Sequence, residues 1–371
     1  MPLSAPARVH RLSWMAMTPL SVAYRGILAA RSAWWKRFAL TPQLPTVSVG
    51  NLTTGGNGKT PFTLFLAARL RQRGLRVGIV SRGYGGRASR SPSLVSDGQS
   101  IAMKPQEAGD EPVMMAKSFD GPVAVAHRRI GAINLLATNA LAEAVVLDDG
   151  FQHVRLRRDF DLLLINRCVG LGNGWLLPAG PLREPRGAIQ RADALVLVES
   201  FGAANDSIDF SASDIIRGKP VLRARVQPSS LTYSENGNWH EAPLILDGRQ
   251  VAAVSGIANS VGFHTMITAL GANVVRTLDY PDHYDYGVSD WKNIHAAAQQ
   301  AEMVITTEKD LVKLERLATP EVPLYALRLK VTMEAQDESQ LLSLVMERIS
   351  GARRARELRA FRVQGGNRQW H

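Results

Sequence analysis

The chain has 371 residues, 45% of them hydrophobic and 21% charged, which is enough for two domains with their own cores and too apolar for a disordered protein. A single cysteine, Cys168, excludes an internal disulfide and a cysteine-rich zinc site, and it points to a reducing compartment. The net charge of +11 is lopsided: residues 1–96 carry 14 Lys and Arg and no acid, while the other 275 residues sum to −3, so the first quarter is expected to face something anionic.

No run approaches the ~18 consecutive apolar residues that a membrane-spanning helix needs. Pro19 to Phe38 nevertheless reads as an amphipathic helix. Leu20, Tyr24, Ile27, Arg31, Trp34 and Phe38 recur at steps of three and four, with Arg25, Lys36 and Arg37 largely on the other side. Trp14, Trp34 and Trp35 are three of the seven tryptophans, and tryptophan beside arginine and lysine suits a bilayer interface. Residues 1–40 are therefore expected to associate with an anionic membrane surface. A core helix is the alternative, and a secretory signal is opposed by Pro19 and Arg25.

Pro45 to Gly50 (PTVSVG) predicts a buried parallel strand, and NLTTGGNGKTPF and the helical TLFLAARLRQRG follow it. Strand, glycine-rich loop and helix form the context of a P-loop. Gly55, Gly56 and Gly58 let backbone N–H groups wrap a phosphate, with Thr53, Thr54 and Asn57 completing the loop. Lys59 is expected to reach the β- and γ-phosphate oxygens and Thr60 to meet Mg²⁺, with the helix dipole behind them. Thr53 stands where the standard pattern has its first glycine. Beyond the next apolar run, VGIV, comes SRGYGG, which puts Arg82 and Tyr84 at the carboxyl end of a strand, where open α/β sheets bind ligands. In EAGDEPVMMA, Pro112 can open a helix, and on spacing alone Asp110 and Glu111 read as its N-terminal cap. AVVLDDGFQH has the form of a Walker B strand, with Asp148 and Asp149 as metal candidates. Adjacent carboxylates on a strand point to opposite sides, so one is expected at the metal while the other orients a neighbour such as His153.

Apolar runs alternating with helical stretches over 41–212 predict a P-loop-type, doubly wound, mostly parallel α/β domain. Residues 213–247 read as a β-hairpin linker around ENGN, and 248–350 as a smaller α/β domain in which PLYALRLKV returns to the linker sheet. The basic tail, 351–371, matches no motif; a surface helix or a disordered end is open, with disorder expected past Val363. His283, taken alone, reads as a surface histidine.

VGNLTTGGNGKTP, SRGYGG, GDEP, DDGFQH, PAGPLREP (178–185), SGIAN (255–259), DYPDHYDY (279–286) and TTEKD (306–310) together resemble the tetraacyldisaccharide 4'-kinase family, in family order over residues 14–330. The family also lacks the first Walker glycine; Ser260 stands where it usually has proline. The resemblance implies an enzyme of Gram-negative bacteria that uses ATP and Mg²⁺ to phosphorylate the 4'-hydroxyl of an acylated glucosamine disaccharide 1-phosphate, giving lipid IVA. It implies a peripheral or monotopic place on the cytoplasmic face of the inner membrane, with no nucleic acid and no obligate protein partner. Residue by residue, it makes Lys59 the phosphate lysine and Thr60 the magnesium hydroxyl. Asp110 becomes the catalytic base, paired with His283 from the second domain across a cleft. Glu111, Asp148 and Asp149 are the metal-associated acids, and Arg82, Tyr84 and Arg129 are weaker candidates for holding the acceptor. A membrane-associated P-loop ATPase or GTPase switch is the competing reading, and the chain shows no NKxD-type guanine motif.

Overall fold

The computed structural model describes residues 17–55, 58–201, 216 and 218–366. Helix α1 (Thr18–Arg37) leads into β1 (Thr46–Asn51), whose six residues are all buried, and α2 (Lys59–Gln72) follows. Phe62, Leu66, Ala67 and Leu70 form one stripe of α2 and press it onto the sheet. The chain continues through β2 (Val77–Ser81), β3 (Ser93–Ser96), α3 (Pro105–Ala108), α4 (Asp110–Ser118), β4 (Val123–Val125), α5 (Arg129–Thr138), β5 (Ala144–Leu147), β6 (Phe160–Asn166) and β7 (Ala194–Ser200). The hairpin β8 (Val221–Glu235) and β9 (Asn238–Ala242) comes next. Then follow β10 (Gln250–Ser255), α6 (Ser260–Ala269), β11 (Asn273–Asp279), α7 (Val288–Ala298), β12 (Met303–Thr307), α8 (Glu308–Leu314), β13 (Leu324–Thr332) and α9 (Ala335–Gly366).

Among the described residues the strands form one 13-stranded sheet in the order β11-β10-β12-β13-β8-β7-β6-β1-β5-β2-β4-β3, with β9 paired to β8. The first unit is parallel except for β3, and β10 to β13 are parallel to one another. β8 belongs to both units: it runs parallel to β7 and antiparallel to β13. Ser200 at the carboxyl end of β7 pairs with Val226, and Thr332 at the carboxyl end of β13 pairs with Arg225. The strands of the two units therefore end toward one another, and the loops that leave those ends share a cleft.

The expected hairpin is present. Asn236 and Gly237 supply the two positive φ angles (52° and 77°) that its tight turn requires. Residues 213–215 and 217 of that expected linker lie outside the described residues. Two expectations are corrected. The tail is helical through Gly366, continuing α9 without a break, rather than disordered past Val363; residues 367–371 lie outside the described part. The first half of α9 also leaves the 248–350 unit. Its Leu341, Leu342, Val345 and Ile349 join Phe62, Leu66 and Met115 in the core of the first unit, because they form an apolar stripe with period close to 3.6. On the opposite face Leu28 of α1 packs with Phe151, Leu163, Ile165 and Leu195. Tyr24 packs beside Leu28, but Leu20, Val22, Ile27 and Trp34 of α1 and Phe38 at its C-terminal cap stay exposed, so α1 is not a core helix on that side.

Candidate active site

Most motifs singled out in the sequence stand at the carboxyl end of a parallel strand, namely the P-loop after β1, SRGYGG after β2, DDGFQH after β5, SGIAN after β10, DYPDHYDY after β11 and TTEKD after β12, whereas GDEP joins α3 to α4 and PAGPLREP lies within the β6–β7 connection. Beyond β1 the chain turns through Leu52–Gly55 to Gly58, where α2 begins. Gly58 sits at φ 68°, and a Cβ there would come within 2.9 Å of Val226 Cγ2, so this turn needs glycine. Gly55 is also left-handed, at φ 107°. Gly56 and Asn57 lie outside the described residues. Thr53 bridges to Leu182 and the Thr54 N–H donates to the Pro181 carbonyl at 2.8 Å, so PAGPLREP braces the first limb of the loop. Lys59 and Thr60 occupy the first turn of α2. The Lys59 ammonium donates to Asn51 Oδ1 at 3.3 Å and lies 3.9 Å from Asp149 Oδ1.

Asp148 and Asp149 do not continue the strand as the sequence reading had it. β5 stops at Leu147, and Asp149 turns away at φ 47°, which sends the two carboxylates to different partners. Asp148 is buried and accepts from Thr63 Oγ1 at 3.2 Å. Burial, followed by the like charges of Glu111 and Asp149, pushes its carboxyl up to about 7, against Lys59 and the Thr63 hydrogen bond. Burial works against the charge of Asp149 too, but Lys59, Arg183 and Arg129 outweigh it and hold that carboxyl below its usual range. The neighbour that Asp149 orients is Arg183, at 2.8 Å, in place of His153. Buried Arg129 donates to the Asp149 carbonyl at 3.2 Å, and Gln152 closes the turn on the Asn51 carbonyl at 2.6 Å.

Asp110 is the first residue of α4 and only 6% exposed; the cap is Gly109, at φ 93°. The expected capping role thus passes to the glycine, which the Tyr84 carbonyl approaches so closely that a Cβ would lie 2.5 Å from it. The Asp110 carboxylate instead meets the second unit. His283 Nδ1 lies 3.2 Å from each of its oxygens, the Lys313 ammonium 3.5 Å from Oδ2, and the Glu111 N–H donates to Oδ1 at 3.0 Å. Burial disfavours the charged carboxyl, yet the His283 hydrogen bond and the charges of Lys309 and Lys313 keep it below the ordinary range. The same hydrogen bond to Asp110 raises His283, against partial burial. His283 is itself at φ 60°, a conformation that turns its ring toward the cleft.

Tyr84 is exposed, with its ring 5.0 Å from that of His283, and Arg82 lies 3.4 Å from His127 Nδ1. Lys309 links the groups: its ammonium is 3.6 Å from Glu111, 2.9 Å from Asp282 and 3.2 Å from His283 Nε2. Lys59, Asp148, Asp149, Glu111, Lys309 and the Asp110–His283 pair therefore form one charged network. Lys309, Lys313, Arg183, Asn51 and Thr63 had been given no role from the sequence. Asn51, Arg183 and Lys309 lie inside quoted motifs, which is the signal the sequence offers.

The donor set fits a magnesium ion. Asp149 Oδ1 is buried without a hydrogen-bond partner, and Asp148 is crowded by Glu111 and Asp149. Among the described residues no cluster of three His, Cys, Asp or Glu could hold a metal by itself. Mg²⁺ takes one or two carboxylates and completes its shell with water and substrate phosphates, so the Asp148–Asp149 pair is of the right kind.

Residues 13–350 match the family described as LpxK, tetraacyldisaccharide-1-P 4'-kinase. A tetraacyldisaccharide 4'-kinase of Syntrophus aciditrophicus is 37% identical over 350 residues, covering 88% of this chain and 91% of its own. The Geobacter sulfurreducens enzyme of the same name is 39% identical over 284 residues, covering 76% and 78%. The crystal structure of Aquifex aeolicus LpxK in complex with ATP superposes with a TM-score of 0.74 at 33% identity, covering 91% of this chain and 99% of that one. On a match of this length, with relatives this similar over most of both chains, the protein is a member of the tetraacyldisaccharide-1-P 4'-kinase family.

Proposed function

We propose that the chain transfers the γ-phosphate of ATP to the 4'-hydroxyl of tetraacyldisaccharide 1-phosphate, giving lipid IVA in lipid A biosynthesis. The observation that carries this reading is the Asp110–His283 pair, which joins a first-unit carboxylate to a second-unit imidazole at 3.2 Å beside the P-loop network. Asp110 accepts the sugar hydroxyl proton as the oxygen attacks phosphorus, and His283 orients the carboxylate and spreads the charge it gains. Lys59 neutralises charge growing on the transferring phosphoryl group, and Arg183 holds Asp149 in place. Thr60, Asp148, Asp149 and Glu111 would hold Mg²⁺, which would supply positive charge to the nucleotide phosphates. The exposed Arg82 and Tyr84 border the opening and would contact the acceptor's polar head, whereas Arg129 is buried behind the Asp148–Asp149 turn and would support that turn rather than touch the acceptor.

The acceptor carries acyl chains, so the enzyme must work at a lipid surface. Among the described residues no helix is long and apolar enough to cross a membrane. The exposed Leu20, Ile27, Trp34 and Phe38 of α1, with Arg25 and Arg31 nearby, support a peripheral contact with an anionic, cytoplasm-facing bilayer. The reaction is tested by incubating labelled ATP and Mg²⁺ with the disaccharide in detergent and separating the lipids on thin layers. Label in the lipid only when acceptor and protein are both present is the expected result. Nucleotide hydrolysis that ignores the acceptor overturns it.

A further inference from the structure

Behind Asp110 lies a buried charge that the reaction outlined above does not use. Lys313, 5% exposed on the side chain, stands between two carboxylates, 3.5 Å from Asp110 Oδ2 and 3.2 Å from Asp310 Oδ1. Asp310 is fully buried, and its other oxygen is pinned by the Gly256 N–H at 2.9 Å and by Thr307 Oγ1 at 2.7 Å. The ring of Tyr286 supports the ammonium from a face 5.3 Å away. SGIAN, the TTEKD helix and PDHYDY thus converge on one lysine, and that lysine points across the cleft at the first unit.

From this geometry we infer that Lys313 is a positioning residue for phosphoryl transfer, fixing the Asp110 carboxylate in the orientation in which it meets His283 and the acceptor hydroxyl. The inference rests on the reading of Asp110 as the base. The carboxylate has three contacts that set its plane: Glu111 N–H on Oδ1, Lys313 on Oδ2, and His283 astride both. Without Lys313, Oδ2 keeps only the shared imidazole, and the side chain is free to rotate about the Glu111 contact. Stability alone does not account for the lysine. Two buried charges are costly to desolvate, and a well-packed apolar pair of similar volume commonly does as well or better. Asp310, Gly256, Thr307 and Tyr286 hold the ammonium so that its direction, toward Asp110, is fixed.

The test compares Lys313→Met, the double variant Lys313→Met/Asp310→Asn, and Asp110→Asn in the full-length protein, reading kcat, KM for ATP and Tm. Lys313→Met should lower kcat by about 30-fold or more while KM for ATP stays within about 2-fold, because the P-loop is untouched. It should also lower Tm, since Asp310 is left charged and unpaired. The double variant removes that orphan charge and should recover Tm without recovering kcat. A double variant that regains both Tm and kcat, or a Lys313→Met enzyme with normal kcat, overturns the inference. Should Lys313→Met not fold, the double variant decides alone. Asp110→Asn separates the two readings. If it keeps normal turnover, the base assignment falls; if it is inactive while the double variant is active, only the role of Lys313 falls.

Discussion

Burial disfavours the charge of Asp110, and the His283 hydrogen bond together with Lys309 and Lys313 of the second unit holds its carboxyl below the ordinary range. A base prepared in this way needs little rearrangement when the hydroxyl arrives. Asp110→Asn and His283→Ala are each expected to lower kcat by on the order of 10²–10⁴-fold with ATP binding largely kept, measured by steady-state kinetics and nucleotide titration. Lys59→Ala should weaken both binding and turnover. His153 makes a different prediction. Burial and the charges of Arg129, Arg158, Arg155 and Arg82 push its imidazole down to about 3 from an ordinary 6.5, so the native state stays unprotonated while the unfolded chain takes up a proton. Stability is therefore lost as pH falls from above 6.5 toward 3. His153→Gln should show a smaller loss between pH 7 and pH 5, by up to ~2 kcal/mol, in denaturant melts at the two pH values. The glycine-rich loop and the paired aspartates were legible in the chain because their chemistry is local: residue type, spacing and the preceding apolar run suffice. Lys313 was not, since its partners lie 203 residues back and three residues before it, and nothing in a helix ending EKDLVKL marks one lysine as buried.

At the level of elements, the loops are shaped by close approach more than by propensity. Gly58 lies against Val226 and Gly109 against the Tyr84 carbonyl, so the P-loop is fitted to β8 and the GDEP turn to SRGYGG. Gly58→Ala adds both a left-handed strain and a clash, and nucleotide affinity should fall by at least about 10-fold in a titration, while Gly74→Ala, which adds a like strain (φ 87°) without a clash past the far end of α2, leaves affinity unchanged. The α1 helix shows how periodicity under-determines burial. The same three-and-four spacing serves a core or a bilayer, and only the fold reveals that Leu28 faces inward while Ile27 and Trp34 face out. Replacing Leu20, Ile27, Trp34 and Phe38 by serine should release the enzyme from anionic vesicles in a flotation assay, with kcat on detergent-dispersed acceptor retained. Vesicle binding equal to that of the wild type would remove the role given to α1.

Across the whole molecule, the sequence conveyed two α/β units and the hairpin between them, because alternating apolar runs and the ENGN turn carry that information directly. It did not convey that α9 returns to the first unit. That depends on which of several apolar stripes finds space, and the stripe of Leu341, Val345 and Ile349 finds it beside α2 and α4. Leu341→Ala should cost about 2–5 kcal/mol of the stability of the first unit, read by chemical denaturation, although it lies near the end of the chain.

The sharing of β8 has a mechanical side. A linker of loose chain would let the halves swing apart freely, whereas one strand laddered to β7 at one end and β13 at the other transmits any opening as twist through the sheet. Excursions of the two halves are thereby kept shallow, and neither half can melt without stripping a neighbour from the strand they hold in common. A single calorimetric peak is the thermal signature of such a ribbon, and a nick between β7 and β8 would leave the product clasped as one body.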